Sequence, residues 1–177
     1  DKDSLQVQKR ELSAYCERLV TRLLPKKYKE GSVDMSLMGA ITPLGYTLME
    51  DTFCTLQKVF VLEDDYYFAS DMLLKCICEK AVKRGYDVTV SRCNLFSDSV
   101  YEIVVIKEAG LAFVASTPLN LFYKSSFSKI NAMRFYAKTA LPLKKKRLKM
   151  NKSACARLVE EAVTALSDAK AVHDELE

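Results

Sequence analysis

The stretch from Lys58 to Arg84, KVFVLEDDYYFASDMLLKCICEKAVKR, constrains the chain more than any other. It opens on an apolar run, Val59 to Leu62, that is too short for a helix and fits a buried strand. It closes on a helical pattern, in which Met72, Leu73, Cys76, Ile77 and Ala81 recur at three- and four-residue steps. Lys83 and Arg84 in the last turn and Gly85 just beyond it supply a C-terminal stop. Asp87 to Ser91, with Val88 and Val90 alternating, reads as the next strand. Strand, helix and strand within about 30 residues make a βαβ unit. The two strands are therefore expected to run parallel, with a right-handed crossover.

A strand that feeds a helix through a tight connection is where a phosphate-binding loop sits. Such a loop follows GxxxxGK[ST], with glycines for close backbone approach, a lysine for the β/γ-phosphates and a hydroxyl for magnesium. On that frame this chain reads Glu63, Asp64, Asp65, Tyr66, Tyr67, Phe68, Ala69, Ser70. Glu63 and Phe68 stand where glycines are needed, and Ala69 stands where the lysine is needed. Ser70 alone fits, and it is the one candidate nucleotide contact. Asp64 and Asp65 put negative charge where a triphosphate would lie, and like charges at short range repel in a partly desolvated loop. Tyr66, Tyr67 and Phe68 are expected to fold inward and plug the empty site. No catalytic residue is expected, because Ser70 has no base near it in sequence. The positive end of the helix still offers weak anion binding.

Around this stretch the chain alternates helix and strand patterns. Residues 4–29 read as a helix with Ser4 as its cap and Pro25 set to shorten it. Residues 35–49 read as a hairpin or two short strands turning at Thr42-Pro43 and Gly45. Residues 51–57 read as a short connecting turn or helix. Tyr101 to Ile106 and Leu111 to Ala115 are apolar enough for central strands covered on both faces. Between Leu119 and Leu141 the pattern is mixed, and Phe127, Ile130, Met133, Phe135 and Tyr136 fit the apolar side of a helix. Pro142 reads as a break. From Met150 to Glu177 an alanine-rich amphipathic helix is expected, its stripe running from Cys155 through Leu158 and Ala162 to Leu176.

With 177 residues, the chain suffices for one domain with a full core. No apolar run approaches the roughly 18–20 residues that span a bilayer. The polar start DKDSLQVQKRE has no signal-peptide pattern, and the missing initial Met leads us to expect a fragment or a processed chain. The six cysteines include no CxxC pair, so buried thiols in a reducing cytoplasm are expected. Zinc would need histidines or paired cysteines, and the single histidine, His173, reads as a helix-surface residue. The net charge of +4 is mild, but KKKRLKMNK at 144–152 holds six cations in nine positions. That run reads as a solvated segment capable of weak, nonspecific nucleic-acid contact; no aromatic residues interleave to stack bases. The acids Glu63, Asp64, Asp65 and Asp71 could hold a hard cation, but their spacing matches no calcium loop and favours a solvated helix N-terminus.

Three separated segments resemble one family. MGAITPLGY (Met38–Tyr46) is similar to the GAxTPxG entry segment of a group of uncharacterised bacterial ATPases with P-loops. Residues 58–92 occupy that family's strand–loop–helix–strand place, including its RGYDV. AKAVHDELE (Ala169–Glu177) is similar to the AKxxHDELE of its long helix. Ile103–Thr117 also looks like its strand pair, with Ala115 where the family carries an acid that could serve magnesium. The resemblance implies tandem P-loop halves, an ATPase activity and Mg-ATP as cofactor. The chain's departures from it lead us to expect no cofactor and no hydrolysis. The expected fold is α/β, a mostly parallel sheet flanked by helices, of the P-loop NTPase type. Residues 1–34 would be a helix or linker, and 35–177 the α/β domain. The expected role is structural, regulatory or partner-binding, the partner being another P-loop half or a different protein. The alternative is an ATPase-like nucleotide binder whose active loop lies in a missing half or whose phosphate contacts come from elsewhere. Nucleic-acid binding through 144–152 is a third class.

Overall fold

The computed structural model describes residues 6–49, 51–93, 99–117, 122, 126–137 and 140–176, with side chains from 146 onward in the last segment. The chain runs α1 (Lys9–Leu23), β1 (Val33–Met35), β2 (Gly39–Thr42), β3 (Gly45–Leu48), α2 (Asp51–Cys54), β4 (Lys58–Glu63) and α3 (Phe68–Lys83). It continues β5 (Val88–Arg92), β6 (Tyr101–Ile106), β7 (Leu111–Ser116), β8 (Ser128–Asn131) and α4 (Ala140–Leu176). Ser4, most of the connection from Cys93 to Ser99, Pro118 and Glu177 lie outside the described residues.

Six strands form one sheet in the order β1-β5-β6-β7-β4-β8, and β2 and β3 form a separate hairpin. β4 is parallel to both its neighbours, β7 and β8, and β1 is parallel to β5. Only β6 runs the other way, antiparallel to β5 and β7. Its direction follows from connection length. Lys107–Gly110 joins β6 to β7, and a parallel return needs a dozen or more residues. β4 and β5 do run the same way, with α3 between them in sequence, but β6 and β7 lie between them in the sheet.

The apolar runs bury on two faces because side chains alternate along a strand. Phe60, Leu62, Val88, Val90, Val104 and Phe113 face α1 and α3. Val59, Val61, Ile103, Val105 and Val114 face the other way, under Met38, Leu48, Phe53 of α2 and Phe122. Strands covered twice need apolar residues at successive positions, which is why the sequence runs lack alternation.

α1 is shorter than residues 4–29. It stops at Leu23, and Leu24 is already extended (φ −126°, ψ 93°), because a residue before proline is forced out of the helical region. Cys16, Leu19 and Val20 bury its inner face in the same core as α3. Glu17 ties the two helices through Lys80. The end of α3 is a Schellman motif: Gly85 (φ 86°) donates to the Val82 carbonyl at 2.9 Å and Tyr86 donates to Ala81 at 3.1 Å.

The expected helix across 119–141 is not there among the described residues. Ser128–Asn131 instead pairs with the outer edge of β4, and Ala132–Phe135 forms a 3-10 turn. The open edge of β4 requires a backbone partner, and that requirement outweighs the helical spacing of Phe127, Ile130 and Met133. Pro142 is not a break either. It falls in the first turn of α4, where its missing N–H has no intrahelical partner to lose. No helix among the described residues is long and apolar enough to cross a membrane.

Candidate functional site

The turn from β4 into α3 is built around one buried carboxylate. Asp64 continues the sheet by donating its amide to the Ser116 carbonyl at 3.0 Å, and the residue is only 2% exposed. Two residues after Asp65 the chain reverses at Tyr67, which is left-handed (φ 68°, ψ −18°) and is the one described non-glycine residue with positive φ. A tyrosine there costs about 1–2 kcal/mol, so packing must hold it. Its ring is buried, and its hydroxyl pKa is pushed well up, first by burial and then by the neighbouring Cys93.

The reversal turns the first amides of α3 back onto Asp64. Oδ1 accepts from the Tyr66 amide at 3.0 Å and from the Tyr136 hydroxyl at 2.9 Å. Oδ2 accepts from the Ser70 amide at 2.8 Å. The Tyr136 oxygen in turn accepts from the Ala69 amide at 3.0 Å. Two amides of the first helical turn are thus taken by groups of this chain. A carboxylate at this end also meets the positive end of the helix dipole, worth about 0.3–1 kcal/mol and up to about 2 when partly buried. Burial and the Asp64 charge push the Tyr136 hydroxyl far above its ordinary pKa.

The remaining residues of the loop disperse. Asp65 points outward, 3.5 Å from Lys152 of α4. Glu63 pairs with Lys129 at 2.6 Å. Asp71 accepts from the Tyr101 amide and from Lys75, each at 2.8 Å. The four acids therefore share no common centre, and among the described residues no group of three or more His, Cys, Asp or Glu side chains could hold a metal. Tyr66 packs edge-on against Tyr136, with ring centroids 5.6 Å apart, and Phe68 packs at the rim of the core. Ser70 is buried, and its hydroxyl donates to the Tyr67 carbonyl at 3.1 Å. Ala69 is fully buried against the core, so its Cβ points away from solvent-side ligands. Ala115 is equally buried, beside Leu62 in the register of β4 and β7.

A second polar group lies at the same end of the sheet. Glu102 of β6 is fully buried and accepts from the Tyr46 hydroxyl of the β2–β3 hairpin. Burial and the Glu102 charge raise the Tyr46 pKa strongly. Sequence reasoning missed Glu102, although an acid inside the doubly covered run YEIVVI is a readable signal, since a buried charge needs a partner. It also missed Tyr136, which is distant in sequence and has no local signature.

Elsewhere, none of the six cysteines forms a disulfide. Cys16 and Cys76 meet between α1 and α3, and the hydrogen bond from Cys16, helped by Lys80, lowers the Cys76 pKa. Lys146, Arg147, Lys149 and Lys152 of the basic run are exposed, as is His173.

Fold and turn together define an α/β domain in which the Ala69 and Ser70 amides at the start of α3 donate to Tyr136 and Asp64. No family model, no curated protein and no solved structure matches the chain.

Proposed function

We propose that this chain is a P-loop NTPase-fold domain with a degenerate phosphate loop, which does not hydrolyse nucleotide and serves a structural, regulatory or partner-binding role. One observation carries the reading: Asp64 and Tyr136 take up the Ser70 and Ala69 amides at the start of α3. Those amides are the groups a helix N-terminus offers a phosphate. An incoming phosphate would have to displace a buried carboxylate and leave it unpaired, at a cost of several kcal/mol. Mg-ATP, which the family resemblance implies, does not fit the residues present. Ala69 supplies no cation, Ala115 supplies no carboxylate to the metal shell, and Ser70 directs its hydroxyl into its own helix. The sheet and its flanking helices remain as a scaffold for a second P-loop half or another protein.

Calorimetry with Mg-ATP and Mg-GTP tests this reading. No hydrolysis is expected, and any dissociation constant should be weaker than about 1 mM. A saturating heat at micromolar nucleotide would overturn it. Ala69→Lys alone should not create a site, because Asp64 and Tyr136 would still hold the cradle.

A further inference from the structure

Two thiols from different helices meet where α1 packs on α3. Cys16 lies on the buried stripe of α1 with Leu12, Leu19 and Val20, and Cys76 of α3 packs against the same core. Cys16 is fully buried, whereas Cys76 is half-buried. The Cys16 thiol donates a hydrogen bond to the Cys76 sulfur. A disulfide needs two sulfurs side by side on facing elements, and this contact brings them together in the reduced chain.

Their surroundings give the two thiols different parts. The Cys76 pKa is lowered, first by the hydrogen bond from Cys16 and then by the Lys80 ammonium, against burial and the acids Glu79 and Glu17. Lys80 is itself held in place by its pair with Glu17 of α1. The hydrogen bond to Cys76, followed by burial, keeps the proton on Cys16. Cys78 shows the contrast. It lies on another side of α3, and burial pushes its thiol up to about 11. The more accessible thiol of the pair is thus the one that ionises, and reactive thiols sit in such partly exposed, electropositive places. The other stands directly behind it.

We propose that Cys76 and Cys16 form a peroxide-responsive dithiol whose disulfide fastens α1 to α3. The Cys76 thiolate attacks one oxygen of hydrogen peroxide and the O–O bond breaks. Cys76 becomes a sulfenic acid, and the departing hydroxide takes up the proton that Cys76 released on ionising. The Cys16 sulfur then attacks the Cys76 sulfur, the S–O bond breaks, and that oxygen leaves as water with the Cys16 proton. Two thiols are oxidised to one disulfide while one peroxide is reduced to two waters. The link closes the chain between α1 and α3 into a loop, which restricts the unfolded chain and so favours the folded one. A dithiol reductant reverses it by exchange.

Hydrogen peroxide applied to the reduced full chain, followed by alkylation and peptide mapping by mass spectrometry, tests the proposal. A Cys16–Cys76 link within a single chain is expected, with loss of two hydrogen atoms from the intact mass. The urea midpoint of the oxidised chain should move up and return on treatment with dithiothreitol. Cys16→Ser should abolish the link and leave Cys76 as a sulfenic acid that dimedone traps, a product that a merely structural pair of cysteines would not give. Should Cys16→Ser fail to fold, the map of the unsubstituted chain still decides. Peroxide that oxidises other cysteines and leaves Cys16 and Cys76 as thiols would overturn the proposal. So would a link from either residue to a different cysteine, or a link that forms only after the chain is unfolded in urea.

Discussion

Asp64 concentrates the consequences at the scale of single residues. Asp64→Ala would leave the Tyr66 and Ser70 amides and the Tyr136 hydroxyl without their acceptor in a buried turn. The expected loss is about 3 kcal/mol of unfolding free energy, against about 1–2 kcal/mol for Tyr136→Phe, read from urea denaturation. A loss under half a kilocalorie for Asp64→Ala would contradict the bonding described here. The tyrosines give a pH dependence of defined sign. Tyr46, Tyr67 and Tyr136 all have hydroxyl pKa values raised in the folded protein, burial being the leading cause. Below the unfolded value of about 10 the three contribute no pH dependence. Above it the unfolded chain sheds protons that the folded chain keeps, so stability should fall as pH rises. Denaturation midpoints measured with tyrosinate absorbance from neutral to strongly alkaline pH should show that fall, and Tyr136→Phe should reduce it. A midpoint that rose with alkalinity would refute the assignment.

Elements follow from the sequence where local chemistry decides them, and escape it where pairing decides. The end of α3 was legible: Gly85 follows Lys83 and Arg84, and it adopts the left-handed conformation (φ 86°) that ends helices. A Cβ at Gly85 would meet the Lys29 carbonyl oxygen at 2.5 Å. Gly85→Ala should therefore cost about 1–3 kcal/mol by urea denaturation, strain and clash combined. The β2–β3 hairpin was legible from Pro43 and Gly45, and β4, β5, β6 and β7 from their apolar runs. β1 was not, since its three residues are all exposed and exist as a strand only by pairing with β5. β8 was not, since Ile130 is the only buried residue in it and helical spacing fits the same letters. The antiparallel run of β6 could have been read from the four residues KEAG, which are too few for a crossover.

For the whole molecule, the α/β class was legible because the strand–helix–strand pattern of residues 58–92 dominates the core. The identity of the group filling the turn was only half legible. Tyr67, expected to fold inward with Tyr66 and Phe68, is buried, and the acceptors of the first α3 amides are Asp64 and Tyr136, the latter from beyond β8. A contact between residues 72 apart in sequence leaves no local pattern to find. The central claim is that the amides at the start of α3 are already occupied. Amide nuclear magnetic resonance of the native chain during titration with Mg-ATP reads those groups directly. The Ala69 and Ser70 signals should stay unmoved up to about 1 mM ligand, the weak-binding limit set above. A saturable shift of both signals at micromolar Mg-ATP, with Asp64 and Tyr136 intact, would contradict the account.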